Sequence, residues 1–345
     1  NSLKEEFTNL LILVEGLENK CESLNLKGQK TTLVEHTSQV DFWDNIQTAR
    51  EALSDIYRIE RILEAIGGIR KRTNDLLEFL NEACRVNNDR QLIEAAERLH
   101  QIHHHAELVQ YSLSLPDKID RCDAFVEISA IDKSREDLVG KLADMYTNWA
   151  RLKGFKSKVV HEELNTPKTT KKIILLIEGV TIYGLLRDED GLHEFFYGKM
   201  SKSKKRSDYI KVRVLPIIDE TPESHAKVST RNNKPKGNGL RCKKYRSDVQ
   251  ATHKGNQRSI SVRNNMTVSD SEKIVRELLL AESNRIDNCS GDSSDGECII
   301  RKYTLRPNPS ATDHRTGVTT SHLKDLWDGA LDPFLTVLIE ERMKT

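Results

Sequence analysis

Apolar residues recur every three or four positions through much of the first third of the chain, and this spacing places them on one face of a helix. Within residues 51–115 they form two long runs, separated at residues 87–89 by Asn-Asn-Asp. The pattern predicts two helices that pack antiparallel as a hairpin, with another helix before Lys20. Gly67 and Gly68 interrupt the first run. Because a glycine costs a helix about 1 kcal/mol relative to alanine, we expect a kink or a close helix crossing there.

The hydrophobic period changes in the central part of the chain. Residues 124–131 alternate as in a β-strand, and residues 132–152 return to the spacing of a helix. Ser134 and Asp137 have the spacing of a capping box at the start of this helix, and Gly154 stands where a C-cap glycine is expected. Further strands are predicted at 155–160, 172–177, 209–215 and 299–305, and further helices at 269–280 and 331–342.

This order of elements predicts an α+β fold with three parts. The first is a helical hairpin or bundle domain over residues 1–118. The second is a β-rich central domain formed by residues 119–220 and completed by the C-terminal segment 297–345. A small α/β domain, residues 221–296, is inserted between the two central segments, and its first half is poor in apolar residues and rich in basic ones.

The sequence argues against a membrane protein and against a disulfide scaffold. The longest apolar stretches, residues 10–14 and 173–177, each end at a glutamate, far short of the roughly 20 residues that a membrane helix needs. The six cysteines are scattered without a CxxC pair, which predicts reduced thiols and no zinc site. A bridge between Cys289 and Cys298 is the geometric alternative. Residues 1–4 resemble neither a secretory signal nor a transit peptide, so we expect that any targeting segment has been removed.

Charge is unevenly distributed along the chain. Residues 1–120 carry 14 Lys and Arg against 21 Asp and Glu, a balance of −7, and because the whole chain has a net charge of +1, the remainder carries +8. Two segments are strongly basic. Residues 199–213 have seven cations against Asp208 alone, and residues 227–263 have eleven against Asp248 alone.

Both basic segments have the composition of a nucleic-acid contact surface. Lys and Arg contacts to phosphates supply most of the non-specific affinity for nucleic acids, and an interleaved tyrosine offers a base a stacking surface. The predicted RNA-binding residues are Lys199, Lys202, Lys204, Lys205, Arg206, Tyr209, Lys211, Arg213, Arg231, Lys234, Lys236, Arg241, Lys243, Lys244 and Arg246. The alternative is a solvated basic loop without a ligand.

Two other groups of residues have a structural and a functional interpretation. His100 and residues 103–105 have helical spacing that could hold zinc, but no further ligand completes a tetrahedral site, so we predict a solvated or partly packed histidine face and no metal. Trp43, Trp149 and Trp327 stand among apolar neighbours and are predicted to be core residues and not stacking platforms.

Several short segments occur in a characteristic order along nearly the whole chain. The most specific are IRKYTL at residues 300–305, DHRTGV at 313–318 and LWDGALDPFL at 326–335. The others are DFW at 41–43, MYTNWARLKGFK at 145–156, YGLLRDEDGLHEF at 183–195 and ATH at 251–253. Together these segments resemble those of the bacterial-type class I peptide chain release factors.

The resemblance implies a helical N-terminal domain, a codon-reading domain completed by the C-terminal segment, and an inserted domain that reaches the peptidyl transferase centre. The family hydrolyses peptidyl-tRNA with a Gly-Gly-Gln loop, and residues 231–244, which correspond to it, lack that tripeptide. This branch of the family reads stop codons with Ser-Pro-Phe, but residues 196–211 contain no Ser-Pro pair. The acid-and-glycine loop of the codon-reading domain is also replaced, at residues 130–137. We therefore expect no catalytic residue, no hydrolysis and no codon reading.

A family member altered at both functional loops looks like the release-factor-like proteins of plant plastids, the B3 type of the release factor 2 branch. This likeness implies a non-catalytic RNA-binding protein of the chloroplast stroma that stabilises plastid mRNA at 3' untranslated regions. Two alternatives stay open: a ribosome-associated termination or rescue factor whose basic charge is inherited, and an acidic helical domain that binds a protein partner. No cofactor and no membrane partner are expected.

Overall fold

The computed structural model describes residues 2–39, 41–86, 89–114, 119–131, 137–166, 169–179, 181–201, 204–217, 226–230, 247–253, 259–264, 266–288 and 298–344. The chain divides into two compact units, Asn1–Pro116 and Asp117–Thr345. No helix within the described ranges combines the length and the apolar character that a bilayer span requires.

The N-terminal unit is entirely helical where it is described. Its helices are α1 Ser2–Ser23, α2 Leu26–Thr37, α3 Ile46–Val86 and α4 Asp89–Ser114, with a 3-10 turn at Phe42–Asp44. Apolar side chains on one face of each long helix are fully buried, among them Leu10 and Val14 of α1, Ile59 and Ile69 of α3, and Ala95 and Ala106 of α4. Burial of such a stripe supplies most of the stability of a helix in water.

The predicted helical hairpin is confirmed as α3 and α4, and the helix before Lys20 as α1. Of the kink or close crossing predicted at Gly67 and Gly68, the close crossing is wrong, because outside the helix's own neighbouring residues no heavy atom lies within 4 Å of where a Cβ would stand at either position. Helix α2 was not predicted. Its sequence has almost no hydrophobic period, in agreement with Leu26 being its only buried residue.

In the 3-10 turn before α3, Phe42 is buried and its neighbour Trp43 is exposed. Phe42 is only 5% exposed and packs against Ala49 and Ala52 of α3. Trp43 is 58% exposed and meets Phe42 edge to face, with ring centroids 4.9 Å apart. The prediction that Trp43 is a core residue is therefore wrong, whereas the same prediction is confirmed for Trp149, which is fully buried.

The second unit contains two sheets and five helices within its described residues. Its helices are α5 Leu138–Leu152, α6 Ile182–Leu186, α7 Val268–Asn288, α8 Leu323–Trp327 and α9 Asp332–Lys344. Its strands are β1 Ala124–Ala130, β2 Lys156–Thr166, β3 Thr169–Glu178, β4 Gly191–Ser201, β5 Lys204–Pro216, β6 Ala226–Thr230, β7 Ser247–His253, β8 Ser259–Asn264, β9 Ile299–Thr304, β10 Ser310–Asp313 and β11 Thr319–Thr320. Short 3-10 turns lie at Ile119–Arg121 and Arg187–Glu189.

The larger sheet has the strand order β11-β10-β9-β4-β5-β1-β3-β2, and the smaller one has the order β6-β7-β8. Neighbouring strands of the larger sheet are antiparallel except β4 and β9, which run parallel and pair Phe195 with Tyr303. The prediction that the C-terminal segment completes the central sheet is confirmed by this pairing. About 100 residues separate the two paired strands along the chain.

Helix α5 is capped differently from the prediction. It begins at Leu138, and Asp137 is its N-cap, accepting a hydrogen bond of 3.1 Å from the backbone N–H of Gly140. Asp137 was predicted at the third helical position, with Ser134 as the cap; Ser134 lies outside the described residues. The predicted C-cap glycine is confirmed, since Gly154 follows the helix with φ +74°.

The three-stranded sheet and α7 share a hydrophobic core with the large sheet. Phe125, Ile174 and Leu215 of the large sheet pack in one cluster with residues of β7, β8 and α7 such as Val262 and Leu278. Apolar burial is worth about 25 cal/mol per Å², so this contact binds the inserted segment firmly to the central sheet.

A buried charged network joins the C-terminal segment to the rest of the second unit. Arg301 of β9 is fully buried and donates two hydrogen bonds, of 2.8 and 2.7 Å, to the carboxylate of Glu189. It donates a third, of 3.1 Å, to Asp313, and its guanidinium lies 4.2 Å from the ring centre of Phe334. Tyr146 of α5 donates a hydrogen bond of 2.8 Å to the same Glu189 carboxylate.

Protonation of this network follows from its burial and its partners. Burial disfavours the charged form of Glu189, but the charge and hydrogen bonds of Arg301 outweigh it and hold the Glu189 pKa below its ordinary value. Burial lowers the pKa of the neighbouring His193 to about 4. The Glu189–Arg301 pair is therefore ionised at neutral pH while His193 is neutral. His193 lies 3.2 Å, Nδ1 to hydroxyl oxygen, from Tyr303.

Replacing Glu189 by Gln is expected to lower the free energy of unfolding by roughly 3 kcal/mol, because it leaves the buried Arg301 charge without its main counter-ion. Urea denaturation followed by tryptophan fluorescence measures this. The matched control is Glu163→Gln, which removes a carboxylate 3.1 Å from Lys171 in a largely exposed pair and should cost less than about 1 kcal/mol. Equal losses in the two variants would contradict the central role of the buried pair.

Two histidines of the second unit with strongly lowered pKa values make stability fall as the pH drops. Burial, aided by Lys172, lowers the pKa of His161 to about 4, and that of His193 is the same. Between pH 6.5 and 4 the unfolded chain binds protons at these sites and the folded chain does not, so the free energy of unfolding decreases with falling pH. Thermal melts across this range should show the decrease, and His193→Gln should flatten it, whereas replacement of the exposed His314 should not.

Candidate nucleic-acid interface

The two faces of the large sheet differ in burial along β4, β5 and β9. Residues opposite each other on paired strands point to the same face, and successive residues alternate. On one face Phe195, Ile210, Val212, Arg301 and Tyr303 are fully buried. The other face, here called the open face, carries the partly accessible side chains of Glu194, Phe196, Tyr209, Lys211, Arg213 and Lys302. Leu192, opposite Lys211, and Leu215 of β5 are buried on this face, Leu215 in the core that the sheet shares with α7.

Glu194, Phe196 and Lys302 form a connected group on the open face. Lys302 Nζ lies 3.5 Å from Glu194 Oε2 and 4.9 Å from the ring centre of Phe196. Ser207, opposite Phe196 on β5, donates a hydrogen bond of 2.6 Å to Glu194 Oε1. The group thus offers a cation and a carboxylate beside an aromatic ring, which are the groups that contact phosphates and base edges in single-stranded RNA.

The first predicted basic segment is the far end of the β4–β5 hairpin. The strand register pairs Lys199 with Lys205 and Ser201 with Lys204. Gly198 has φ +90°, and a Cβ there would lie 3.0 Å from the carbonyl oxygen of Arg306, so the bend before the basic end needs glycine. The segment is thus carried on a hairpin that extends from the sheet, while Lys202 lies outside the described residues.

Two of the predicted residues lie side by side on the open face. Tyr209 stands opposite Glu194, and Lys211 stands two residues further along the same strand. Tyr197 of the same hairpin points to the other face, where its hydroxyl donates a hydrogen bond of 3.1 Å to Asp208. Tyr209 is therefore the tyrosine available to a base in this part of the hairpin.

Arg213 is on the open face but is engaged within the protein. Its guanidinium forms an ion pair of 2.5 Å with Glu282 of α7 and lies 3.8 Å from Glu127 of β1. Burial disfavours its charged form, but the hydrogen bond and charge of Glu282 outweigh this and raise the Arg213 pKa above its ordinary value. Arg213 thus fastens the inserted segment to the sheet, a role that sequence alone did not suggest.

The second predicted basic segment falls mostly outside the described residues. This holds for Arg231, Lys234, Lys236, Arg241, Lys243, Lys244 and Arg246. The strands on either side of it, β6 and β7, are paired, and β8 is tied to β2. The backbone N–H of Arg263 donates a hydrogen bond of 3.0 Å to His161, and Asn264 donates one of 2.8 Å to the carbonyl of Val160. The segment thus starts and ends on a sheet fixed beside the central one.

Lys302 and Phe196 are functional candidates that the sequence analysis did not single out. They are separated by about 100 residues and meet because β9 pairs with β4. The strand-like run at 299–305 and the segment around Phe196 were both recognised, but a strand's partner cannot be read from its own period.

The histidine-rich face of α4 has local partners. His104 and His103 have their Nδ1 atoms 3.3 and 3.5 Å from the Glu107 carboxylate, and His105 contacts Arg72. Across the described part of the chain, no three His, Cys, Asp or Glu side chains are arranged as metal ligands. Cys298 is an exposed free thiol, while Cys289 lies outside the described residues.

Comparison with known proteins agrees with this architecture. Residues 26–196 match the PCRF domain family. Peptide chain release factor 2 of Phenylobacterium zucineum is 26% identical over 344 residues, covering 94% of this chain and 90% of the relative. That of Clostridium perfringens is 25% identical over 355 residues, covering 97% and 94%.

A solved structure shares the fold. RF2 of Thermus thermophilus superposes with a TM-score of 0.55 at 21% identity, covering 93% of this chain and 98% of that one. The domain match and the relatives make the chain similar to the class I peptide chain release factors over nearly its whole length.

Substitution of Arg213 tests whether this residue stabilises the fold through Glu282 or contacts RNA. Arg213→Met and Glu282→Gln are each expected to lower the free energy of unfolding of the second unit, and the double variant to be less destabilised than their sum by at least about 1 kcal/mol. Lys211→Met should change it by less than about 0.5 kcal/mol. If Arg213→Met weakens RNA binding without loss of stability, Arg213 is a contact residue and not a fastening one.

Proposed function

We propose that this protein is a non-catalytic RNA-binding member of the release factor family, which uses the open face and the two basic segments to hold single-stranded RNA. The observation that carries the proposal is the replacement of both family loops by positive charge. Neither Gly-Gly-Gln nor a Ser-Pro pair occurs anywhere in the chain, and the corresponding segments are rich in Lys and Arg.

The geometry of the central sheet supports RNA as the ligand. The basic end of the β4–β5 hairpin continues into the open face, where Tyr209 and Lys211 follow it along one strand. A cationic track supplies affinity for the sugar-phosphate backbone, and aromatic rings on a sheet supply stacking surfaces for unpaired bases. Lys302, next to Phe196, extends the track across β4 to β9.

Peptidyl-tRNA hydrolysis is not part of the proposal. A catalytic loop must place an attacking water to within a fraction of an ångström, and losing one positioning group typically costs a factor of 10² to 10³ in rate. Residues 231–244 have Gly237 and Gly239 separated by an asparagine and contain no glutamine. The chemistry of the family therefore lacks its water-positioning side chain here.

The RNA is proposed to be an organelle messenger RNA, held at a 3' untranslated region in the plastid. This part of the proposal rests on a resemblance: the release-factor-like proteins of plant plastids, like this chain, are altered at both functional loops of the family. A protein that binds RNA ends tightly blocks exonucleases sterically, which would stabilise the transcript without any catalytic step.

A ribosome-associated termination or rescue factor is the second candidate. It is favoured by the relatives, which are named as peptide chain release factors and align with this chain over nearly their full length. The open face and the basic segments would then contact ribosomal RNA. This candidate requires peptide release on a ribosome, whereas the first requires binding to free RNA, so one pair of measurements separates them.

The binding test uses a fluorescently labelled single-stranded RNA of about 30 nucleotides, titrated with the full chain at several salt concentrations. We expect binding that weakens steeply with salt. The triple variant Lys204→Glu, Lys205→Glu, Arg206→Glu should lower the slope of log Kd against log salt by about 2, because each lost phosphate contact removes about 0.7.

The control carries the same change of charge in the acidic N-terminal unit. Lys27→Glu, Lys71→Glu and Arg85→Glu together should leave the salt slope unchanged, since electrostatic contacts act locally. No binding, or binding that both triple variants weaken equally, would remove the basis of the proposal. Peptide release from ribosomes programmed with a UGA codon would favour the second candidate, and we expect none.

A further inference from the structure

An exposed apolar stripe runs along the first turns of α3. Ala49, Leu53, Tyr57 and Arg61 are spaced four apart and therefore follow one another on the helix surface. Ala49 packs on Phe42, whose ring also meets Trp43. The guanidinium of Arg61 lies 5.3 Å from the ring centre of Tyr57. Trp43, Leu53, Tyr57 and Arg61 are here called the Trp43 stripe; the buried Phe42 and Ala49 lie between Trp43 and the other three, and about 18 Å of helix separates Ala49 from Arg61.

The Trp43 stripe is accessible although it contains large apolar side chains. Trp43 is 58%, Leu53 43% and Tyr57 60% exposed. Exposed single apolar residues are common on proteins, but a row of them that includes Trp, Tyr and Arg has the residue types that dominate the binding energy of protein interfaces. Trp43 packs edge to face on the buried Phe42, so the local fold presents it at the surface.

The surroundings of the stripe are acidic. Residues 41–64 contain six Asp and Glu against three Arg, a balance of −3, in a chain whose first 120 residues balance at −7. Exposed carboxylates stand at both ends of the stripe, at Asp41 and Asp44 before it and Glu64 after it. The surface therefore repels phosphate groups and attracts cationic side chains, which distinguishes it from the open face of the second unit.

We infer that the Trp43 stripe is a docking surface for a basic amphipathic segment of a protein partner. Apolar side chains of the partner pack on Trp43, Leu53 and Tyr57, and its Lys and Arg side chains pair with the acidic rim and stack on the exposed aromatic faces. Recognition of an amphipathic helix by a helix face is a recurrent mode of association. This inference does not depend on RNA binding, since it concerns the unit without the basic segments.

Synthetic peptides of about 14 residues test the proposal on the full chain, a length that covers the stripe as a helix. One peptide alternates Lys and Leu with helical period, the second replaces every Leu by Ser at the same charge, and the third replaces every Lys by Glu. Binding is followed by calorimetry and by tryptophan emission, to which Trp43 responds more than the fully buried Trp149. We expect the Lys/Leu peptide to bind at least tenfold more tightly than either of the others.

Trp43→Ala and Tyr57→Ala are each expected to weaken binding of the Lys/Leu peptide roughly tenfold or more, as for central interface residues. The control is Ile93→Ala, which removes a side chain that is 64% exposed on α4 of the same unit and should leave binding unchanged. Circular dichroism melts confirm that all three variants are folded. These substitutions remove surface groups and should barely change stability.

Three results would overturn the proposal. Equal binding of the Lys/Leu and Lys/Ser peptides would mean that charge alone attracts the peptide. Equal loss in Trp43→Ala and Ile93→Ala would mean that the stripe has no special role. A Trp43-dependent dimer in sedimentation velocity, or quenching of Trp43 by single-stranded RNA, would assign the surface to a second copy of the chain or to RNA.

Discussion

The second unit depends on the buried ion pair between Arg301 and Glu189. Both side chains are fully buried, and taking two charges out of water costs several kcal/mol each unless hydrogen bonds compensate. Here Glu189 accepts two hydrogen bonds from Arg301 and one from Tyr146, and Arg301 also reaches Asp313. A strand register shifted by one residue would send Arg301 to the open face and leave Glu189 charged and unpaired. The pair therefore specifies where β9 joins the sheet.

Correct placement of β9 determines both faces of the sheet. With Arg301 inside, Tyr303 stacks on Phe195 with ring centroids 4.6 Å apart, and Trp327 stacks half-buried on Tyr303 at 5.1 Å. Lys302, between the two buried residues, must then point outward beside Phe196. Burial of Arg301 on one face of β9 thus places the partly accessible Lys302 on the opposite face. The inserted segment is fixed by separate contacts, through the shared hydrophobic core and the Arg213–Glu282 pair.

Local patterns in the sequence were sufficient for most elements and insufficient for their partners. Helices α3 and α4, strand β1 and the C-cap at Gly154 follow from spacing and glycine chemistry that act within one or two turns. Helix α2 was not predicted because only one of its residues, Leu26, is buried. The prediction for Trp43 was wrong because hydrophobicity does not tell which of two adjacent aromatic residues turns inward. At the candidate site, Tyr209 and Lys211 could be found from composition. Lys302 could not, because it is brought there by a pairing between distant segments, and neither could the role of Arg213, whose partner Glu282 is equally distant.

The two units differ in net charge, and the partners proposed for them differ accordingly. Sites that bind phosphate must be cationic, and sites that bind basic protein segments must be anionic, so one surface serves both poorly. This chain separates net charge along its length, since residues 1–120 balance at −7 and the remainder at +8. The proposed function and the proposed docking surface thus assign RNA to one unit and a protein partner to the other, on a framework like that of the release factors. The Arg301–Glu189 pair closes the sheet that carries the first of these two surfaces.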